Sequence, residues 1–301
     1  MAVSFIYLSS FYKDMEKRLT SFDGMKIHYT YSKGKLPLCL VFLHGVGGNW
    51  TVWKKEVEFF QKKGFGTLAI DMRGHGFSDA PNDFEKYQMT NFSKDIYAIL
   101  QKEKVSNFAL VGHSLGGAVA INYCVNFKKK MPSALVLVES ACLYPFNHNT
   151  LLNRGPYVNH LLRFISEHKL TREKSFFHFK DVDLSTQGIK YNFNIISHLL
   201  HFTPLRTIVK SLDNVEKYVF KNKQKIQDTL RDLKIPVLII AGDKDPVVPP
   251  QFSLIMKRLM KGSQLNVLRD EHHLVIMEKS EEVSNIMHNF FMNNLYDLLF
   301  I

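Results

Sequence analysis

The stretch "ALVGHSLGGAVAINYC", Ala109–Cys124, decides how the rest of the chain is read. Its first half is a β-rich apolar run, and its second half carries small and apolar residues at helical spacing. Between them stands one serine, Ser114, with Gly112 two residues before it and Gly116 two after. A residue at a sharp strand-to-helix turn is held in a strained conformation, its side chain projecting from the sheet edge. Side chains two positions away would collide with the neighbouring strand and helix, which is what the glycines prevent. The start of the helix also offers the backbone N–H of Leu115 to a negative charge. A serine hydroxyl is a poor nucleophile on its own. It needs a base to take its proton and donors to hold the charge that develops on the substrate.

The surrounding pattern supplies a scaffold for such a turn. "LCLVFLH" (Leu38–His44), "GTLAIDM" (Gly66–Met72), "NFALVGH" (Asn107–His113), "SALVLVES" (Ser133–Ser140) and "PVLIIAG" (Pro236–Gly242) are nearly continuous apolar runs. Runs of that length, rich in Val, Ile and Leu, suit strands covered on both faces. Between them "WTVWKKEVEFFQKKG", "NFSKDIYAILQKEK" and "GGAVAINYCVNFKKK" space their apolar residues as helices do, and "SEEVSNIMHNFFMNNLYDLL" opens with a capping Ser and Glu in its first turn. The alternation implies a mostly parallel sheet with helices on both faces. "KRLTSFDGMKIHYTYS" alternates about Asp23-Gly24 and reads as an antiparallel hairpin ahead of it. From about Leu143 to Phe220 the rhythm breaks into amphipathic helical pieces such as "YVNHLLRFISEHKL" and "NFNIISHLLHF". The expected organisation is an N-terminal extension over 1–18, a core domain over 19–142 and 221–301, and a helical cap inserted at 143–220.

Composition excludes several classes. The 301 residues are 46% hydrophobic and 22% charged, which is ordinary for a globular chain long enough to bury a sizeable core. No apolar run reaches the roughly 18 residues that span a bilayer. The opening "MAVSFIYLSSFY" lacks a basic n-region and a small-residue cleavage site, so it reads as an extension, with membrane contact through it the alternative. Three cysteines in apolar surroundings, Cys39, Cys124 and Cys142, point to buried thiols in a reducing, cytoplasmic setting. The excess of 39 Lys and Arg over 28 Asp and Glu is scattered among acids and apolar residues. With no nucleic-acid signature beside it, that excess reads as a solvated basic surface.

Separated motifs then agree in order. "LHGVGGNW" (Leu43–Trp50), "DMRGHGFSD" (Asp71–Asp79), "VGHSLGG" (Val111–Gly117), "AGDKDPVVP" (Ala241–Pro249) and "EHHLVIMEKSEEV" (Glu271–Val283) resemble the α/β-hydrolase superfamily, in particular its helically capped, esterase- and lipase-like serine hydrolases. The resemblance runs from about Leu19 to the C-terminal helix and implies the α/β-hydrolase fold. It implies that Ser114 is the nucleophile and that Val46, after His-Gly, supplies an oxyanion N–H beside that of Leu115. In the superfamily's G-x-x-D pattern the acid is Asp245, which Pro246 favours by holding it extended. Asp243 then caps the turn, and Glu139 is a distant alternative acid. The base follows from Glu278, which in relatives begins a helix five residues beyond the catalytic histidine. That spacing selects His273, while His272 stands where relatives carry glycine and remains the alternative.

Other conspicuous residues receive structural readings. Asp71, Arg73 and His75 resemble a turn held by buried polar contacts. Trp50 and Trp53 read as packing residues, and His113 as packing beneath the serine turn. The histidines of the insertion, His148, His160, His168, His178, His198 and His201, lack partners at metal-ligand spacing. The implied activity is acyl transfer to water through Ser114, His273 and Asp245, with no metal or organic cofactor. A serine at the turn argues against epoxide hydrolase and haloalkane dehalogenase chemistry, which in this superfamily use an aspartate there. The Phe, Leu and His content of the cap suggests a small or medium-chain apolar ester. Carbon–carbon bond hydrolysis, acyl transfer to another acceptor and non-catalytic ligand or carrier binding remain alternatives.

Overall fold

A computed structural model describes residues 15–142, 203–294 and 298 of the chain. Its strands are β1 (Glu16–Thr20), β2 (Lys26–Ser32), β3 (Cys39–Leu43), β4 (Gly66–Ile70), β5 (Phe108–His113), β6 (Ala134–Val138), β7 (Val237–Gly242) and β8 (Gln264–Leu268). The helices are α1 (Lys54–Lys62), α2 (Met89–Lys102), α3 (Leu115–Asn126), α4 (Leu205–Asp232), α5 (Pro250–Leu259), α6 (Val275–Glu278) and α7 (Ser280–Asn293). The described strands form one sheet in the order β1-β2-β4-β3-β5-β6-β7-β8. β2 runs antiparallel to both β1 and β4, and every pair from β4 across to β8 is parallel. This is the fold expected from the sequence.

The apolar runs are buried because both faces of the sheet are covered. Every residue of β3, β4, β5, β6 and β7 is buried. Alternate side chains divide between two cores, as the period of a strand requires. Val41, Leu110, Leu137 and Ile239 pack with α2, α3 and α4, whereas Phe42, Val111, Val136 and Ile240 pack with Trp53, α1, α6 and α7. Each fully buried Leu or Ile of this kind contributes roughly 1.5–3 kcal/mol of transfer free energy. Cys39, Cys124 and Cys142 are buried free thiols, each with its pKa pushed up to about 12 by burial. Among the described residues no helix is long and apolar enough to cross a membrane.

Some boundaries differ from the sequence reading. β1 begins at Glu16, so the expected extension over 1–18 overlaps the sheet, since the alternation that makes the hairpin already starts there. The expected cap-to-core boundary at 220/221 falls within α4, whose Val215, Val219 and Ile226 all join one core. The amphipathic pattern is continuous through that point, with only Asn222 leaving helical backbone geometry (φ −114°, ψ 16°). The rest of the proposed cap, 143–202, lies outside the described residues, as does the N-terminal apolar stretch.

The topology fixes where a site can form. β3 lies between β4 and β5, so the chain leaves β3 in one direction for β4 and later returns to its other side as β5. Such a switch point opens a crevice at the carboxyl ends of the two strands. The loop after β3 carries Gly45 to Gly48, and the turn after β5 is Ser114.

Candidate active site

The turn after β5 is strained as the sequence predicts. Ser114 has φ 51° and ψ −114°, a positive-φ conformation that side chains other than glycine rarely adopt. Close packing explains the flanking glycines. A Cβ on Gly112 would lie 2.5 Å from the Gly116 backbone, and one on Gly116 would lie 2.2 Å from the carbonyl oxygen of Leu43 in β3. Gly117, outside the five-residue motif, is as constrained, since a Cβ there would meet Ser140 Oγ at 2.0 Å. α3 starts immediately after Ser114, so the Leu115 N–H has no intrahelical acceptor.

Two distant loops bring a histidine and an aspartate to this serine. His273, on the segment leading into α6, places Nε2 3.1 Å from Ser114 Oγ. Its Nδ1 lies 2.7 Å from Asp245 Oδ2, on the loop after β7. The other oxygen of Asp245 accepts the N–H groups of Val247 and Val248 at 2.7 and 2.9 Å. These bonds lock the carboxylate, aim Oδ2 at the ring and keep Nδ1 protonated, which leaves Nε2 free to accept a proton from the hydroxyl. Asp245 and His273 are buried. Asp243 instead accepts the Asp270 N–H at 2.7 Å and closes the turn. Of the two adjacent histidines, His273 is the one that joins Ser114 to Asp245. Glu278 ends α6, and Ser280 opens the following helix, a shift from the expectation that Glu278 begins it.

Sequence reasoning gave His113 and Glu139 less than the structure does. His113 Nε2 lies 2.9 Å from the His273 carbonyl oxygen and 3.2 Å from Glu139 Oε2. A carbonyl only accepts, so Nε2 carries the proton, and the residue before Ser114 holds the backbone of the histidine that contacts it. Burial first, then the neighbouring His273, pushes the His113 pKa down to about 3, so this ring is neutral. Glu139, at the end of β6, adopts φ 47° and is fully buried. Burial, reinforced by the nearby Asp245 charge, holds its carboxyl well above the ordinary range. The Glu139 carboxyl lies 3.2 Å from His113 Nε2 in a setting that disfavours its anionic form, while the Nδ1 of His273 is taken by Asp245. The only sequence signals for these roles are the histidine at Gly-His-Ser and the acid ending an apolar run.

The loop after β3 closes the other side. A Cβ on Gly45 would lie 3.3 Å from Ser114 Cβ, so this backbone runs against the serine, and Val46 follows it half-buried. His44 fixes the loop. Its Nε2 accepts the Met72 N–H at 3.0 Å, so Nδ1 donates to the Gly45 carbonyl at 2.7 Å. Thr203 Oγ1, at the return into α4, donates to the Gly47 carbonyl at 2.9 Å. Asp71, Arg73 and His75 are structural, as read from the sequence. Asp71 accepts from His28, Trp50 and Phe77, and the buried Arg73 forks onto Asp95 with two 2.7 Å bonds while also reaching Asp23. Both tryptophans are buried in the core on the α1 side.

Among the described residues, one group has spacing that could hold a metal ion: His113, Glu139 and His273, with ligand atoms within 4.8 Å of one another. The bonds above occupy it otherwise. His113 Nε2 donates to a carbonyl, and both ring nitrogens of His273 face Asp245 and Ser114. What the arrangement offers is a strained hydroxyl with a carboxylate-oriented imidazole beside it.

Comparison with known proteins agrees with the fold. A family model described as alpha/beta hydrolase fold matches residues 39–180, and one described as TAP-like protein matches 213–296. The chain is 26% identical to AB hydrolase superfamily protein YisY of Bacillus subtilis, over 83% of this chain and 90% of the relative. It is 24% identical to Epoxide hydrolase 3 of Xenopus tropicalis, over 89% of this chain and 75% of that one. Other curated relatives are longer, and the chain spans 53% to 60% of their length. A solved esterase from Thermogutta terrifontis superposes with a TM-score of 0.70 at 20% identity, covering 92% of this chain and 98% of the esterase.

Proposed function

The chain belongs to the α/β-hydrolase superfamily, and from that premise we propose that it is a serine hydrolase that cleaves a carboxylic ester through an acyl-enzyme. The observation that carries the reading is the chain of contacts from Ser114 Oγ through His273 to Asp245, 3.1 and 2.7 Å long. In the first half-reaction Ser114 Oγ attacks the ester carbonyl carbon while His273 Nε2 takes its proton. Asp245 stabilises the imidazolium that results. The tetrahedral oxyanion accepts the N–H groups of Val46 and Leu115, each worth about 3 kcal/mol in the transition state. Collapse expels the alcohol, which receives the proton from His273. Water then attacks the acyl-enzyme with His273 again as base, releasing the carboxylic acid and restoring Ser114.

An epoxide hydrolase among the relatives raises a second reading, which the nucleophile disfavours on chemical grounds. A carboxylate that opens an epoxide leaves an ester, which water can hydrolyse at its carbonyl. A serine oxygen would leave an ether, with no carbonyl for water to attack. The same triad is compatible with carbon–carbon bond hydrolysis and with acyl transfer to another acceptor. The apolar composition of the proposed cap favours a small or medium-chain apolar ester as substrate. A panel of p-nitrophenyl esters of increasing chain length, run with Ser114→Ala alongside, tests the reading. Turnover is expected in the native chain and should fall by a factor of about 10⁶ without the nucleophile, as with other triads. Equal turnover by both proteins would end the assignment.

A further inference from the structure

α4 carries a surface feature that the chemistry at Ser114 does not use. From Lys217 to Gln227 it reads "KYVFKNKQKIQ", with Lys217, Lys221, Lys223 and Lys225 and no acidic residue. All four lysines are exposed. Val219 and Ile226 on the opposite face are buried in the core, so the helix is amphipathic and basic. Phe220, in the middle of the lysines, is 88% exposed, the most exposed large apolar side chain among the described residues. A second basic element adjoins the first. Tyr218 Oη meets Asn126 Nδ2 at 3.5 Å, and Asn126 ends α3 just before the single-turn helix Lys128–Lys130, of which Lys128 and Lys129 are exposed.

A phenyl ring exposed among cations can bury its apolar surface against a partner that also offers anionic groups, and the charge around it selects what that partner is. Lysines near an anionic leaflet gain from its surface potential, while an aromatic ring gains by entering the acyl boundary beneath the headgroups. Duplex nucleic acid offers the phosphates but keeps its bases stacked and gives the ring no hydrocarbon to enter. We propose that the lysine-rich kink of α4, with Phe220 exposed upon it and the Lys128–Lys130 turn beside it, docks this protein on the surface of an anionic phospholipid bilayer. The patch borders the end of α3 remote from Ser114, about 18 Å of helix away. Docking there is independent of the ester-hydrolase reading, and neither fails with the other.

The test is co-sedimentation of the full chain with phosphatidylcholine vesicles, with and without phosphatidylserine. Binding is expected only to the vesicles that contain phosphatidylserine, and it should weaken as salt is raised. Neutralising Lys221, Lys223 and Lys225 together to Gln should weaken partition about a hundredfold, at about fivefold per lysine. Phe220→Ser should weaken partition while leaving the salt dependence in place. Ser114→Ala should sediment like the native chain, and both surface variants should keep native circular dichroism and any turnover of soluble esters. Absence of binding to phosphatidylserine vesicles would overturn the proposal, as would equal partition by the triple variant. Equal or tighter binding to a short DNA duplex, with Phe220→Ser binding vesicles as the native chain does, would overturn it in favour of a general polyanion surface.

Discussion

Glu56 allows the energetics of this fold to be tested with a single atom exchange. It sits in the first turn of α1 with no exposed surface, and, its own backbone N–H aside, neither carboxylate oxygen has a hydrogen-bonding partner among the described residues. Burial pushes its pKa up to about 8 from an ordinary 4.5, against small opposing effects of its own N–H and Lys55. The sign follows from linkage. A carboxyl whose folded-state pKa is raised imposes no penalty while it is protonated in both states, below about pH 4.5. As pH rises the unfolded chain releases its proton first, so stability falls until the folded state also ionises near pH 8. The full loss is about 3.5 pKa units, or roughly 5 kcal/mol, most of it incurred between about pH 5 and pH 9. Glu56→Gln keeps the shape and removes the proton. Urea unfolding of both proteins across that range, compared as a difference so that other groups cancel, should show the variant gaining about 4 kcal/mol on the native chain as pH rises. Parallel curves would mean that Glu56 is solvated or paired, and would refute the reasoning.

Three further outcomes follow from the site. Gly116→Ala puts a Cβ 2.2 Å from the Leu43 carbonyl, backbone against side chain with no flexible partner to yield, and should cost about 3 kcal/mol or more in urea unfolding. A cost under 0.5 kcal/mol, roughly that of an ordinary surface change, would contradict the packing of the turn. Exchanging the two adjacent histidines for Ala one at a time should separate them: kcat/KM falls at least about a thousandfold for His273 and changes little for His272. The reverse pattern would reassign the base. Glu139→Gln should leave kcat within a few fold at neutral pH, because burial and the Asp245 charge disfavour the anion there and the amide keeps the shape of the carboxyl. A loss as large as that of Asp245→Asn would show that Glu139 acts as an anion.

Legibility in the sequence followed burial. The strands from β3 to β7 were readable to within about two residues because both of their faces are covered, so their composition alone announces them. β8, "QLNVL", was not, since it lies at the sheet edge with most of its residues at least partly exposed and carries no such run. α5 was missed as well, opening on Pro250 after a proline-rich turn with only three buried residues. Ser114, Asp245 and His273 were legible because each sits at a fixed offset from a glycine or an acid that its turn requires. His113 and Glu139 were only partly legible, because their importance lies in one hydrogen bond to a backbone carbonyl 160 residues away in the chain. The expected boundary near 220 falls inside α4, which is amphipathic from end to end, so composition does not change where the helix bends.

The most direct test of the central claim is covalent. Incubation with a fluorophosphonate, followed by peptide mass spectrometry, should place one adduct on Ser114, formed quickly in the native chain and very slowly in His273→Ala. Failure of the native chain to label, or an adduct on another residue that persists in Ser114→Ala, would contradict the assignment of this serine as an activated nucleophile.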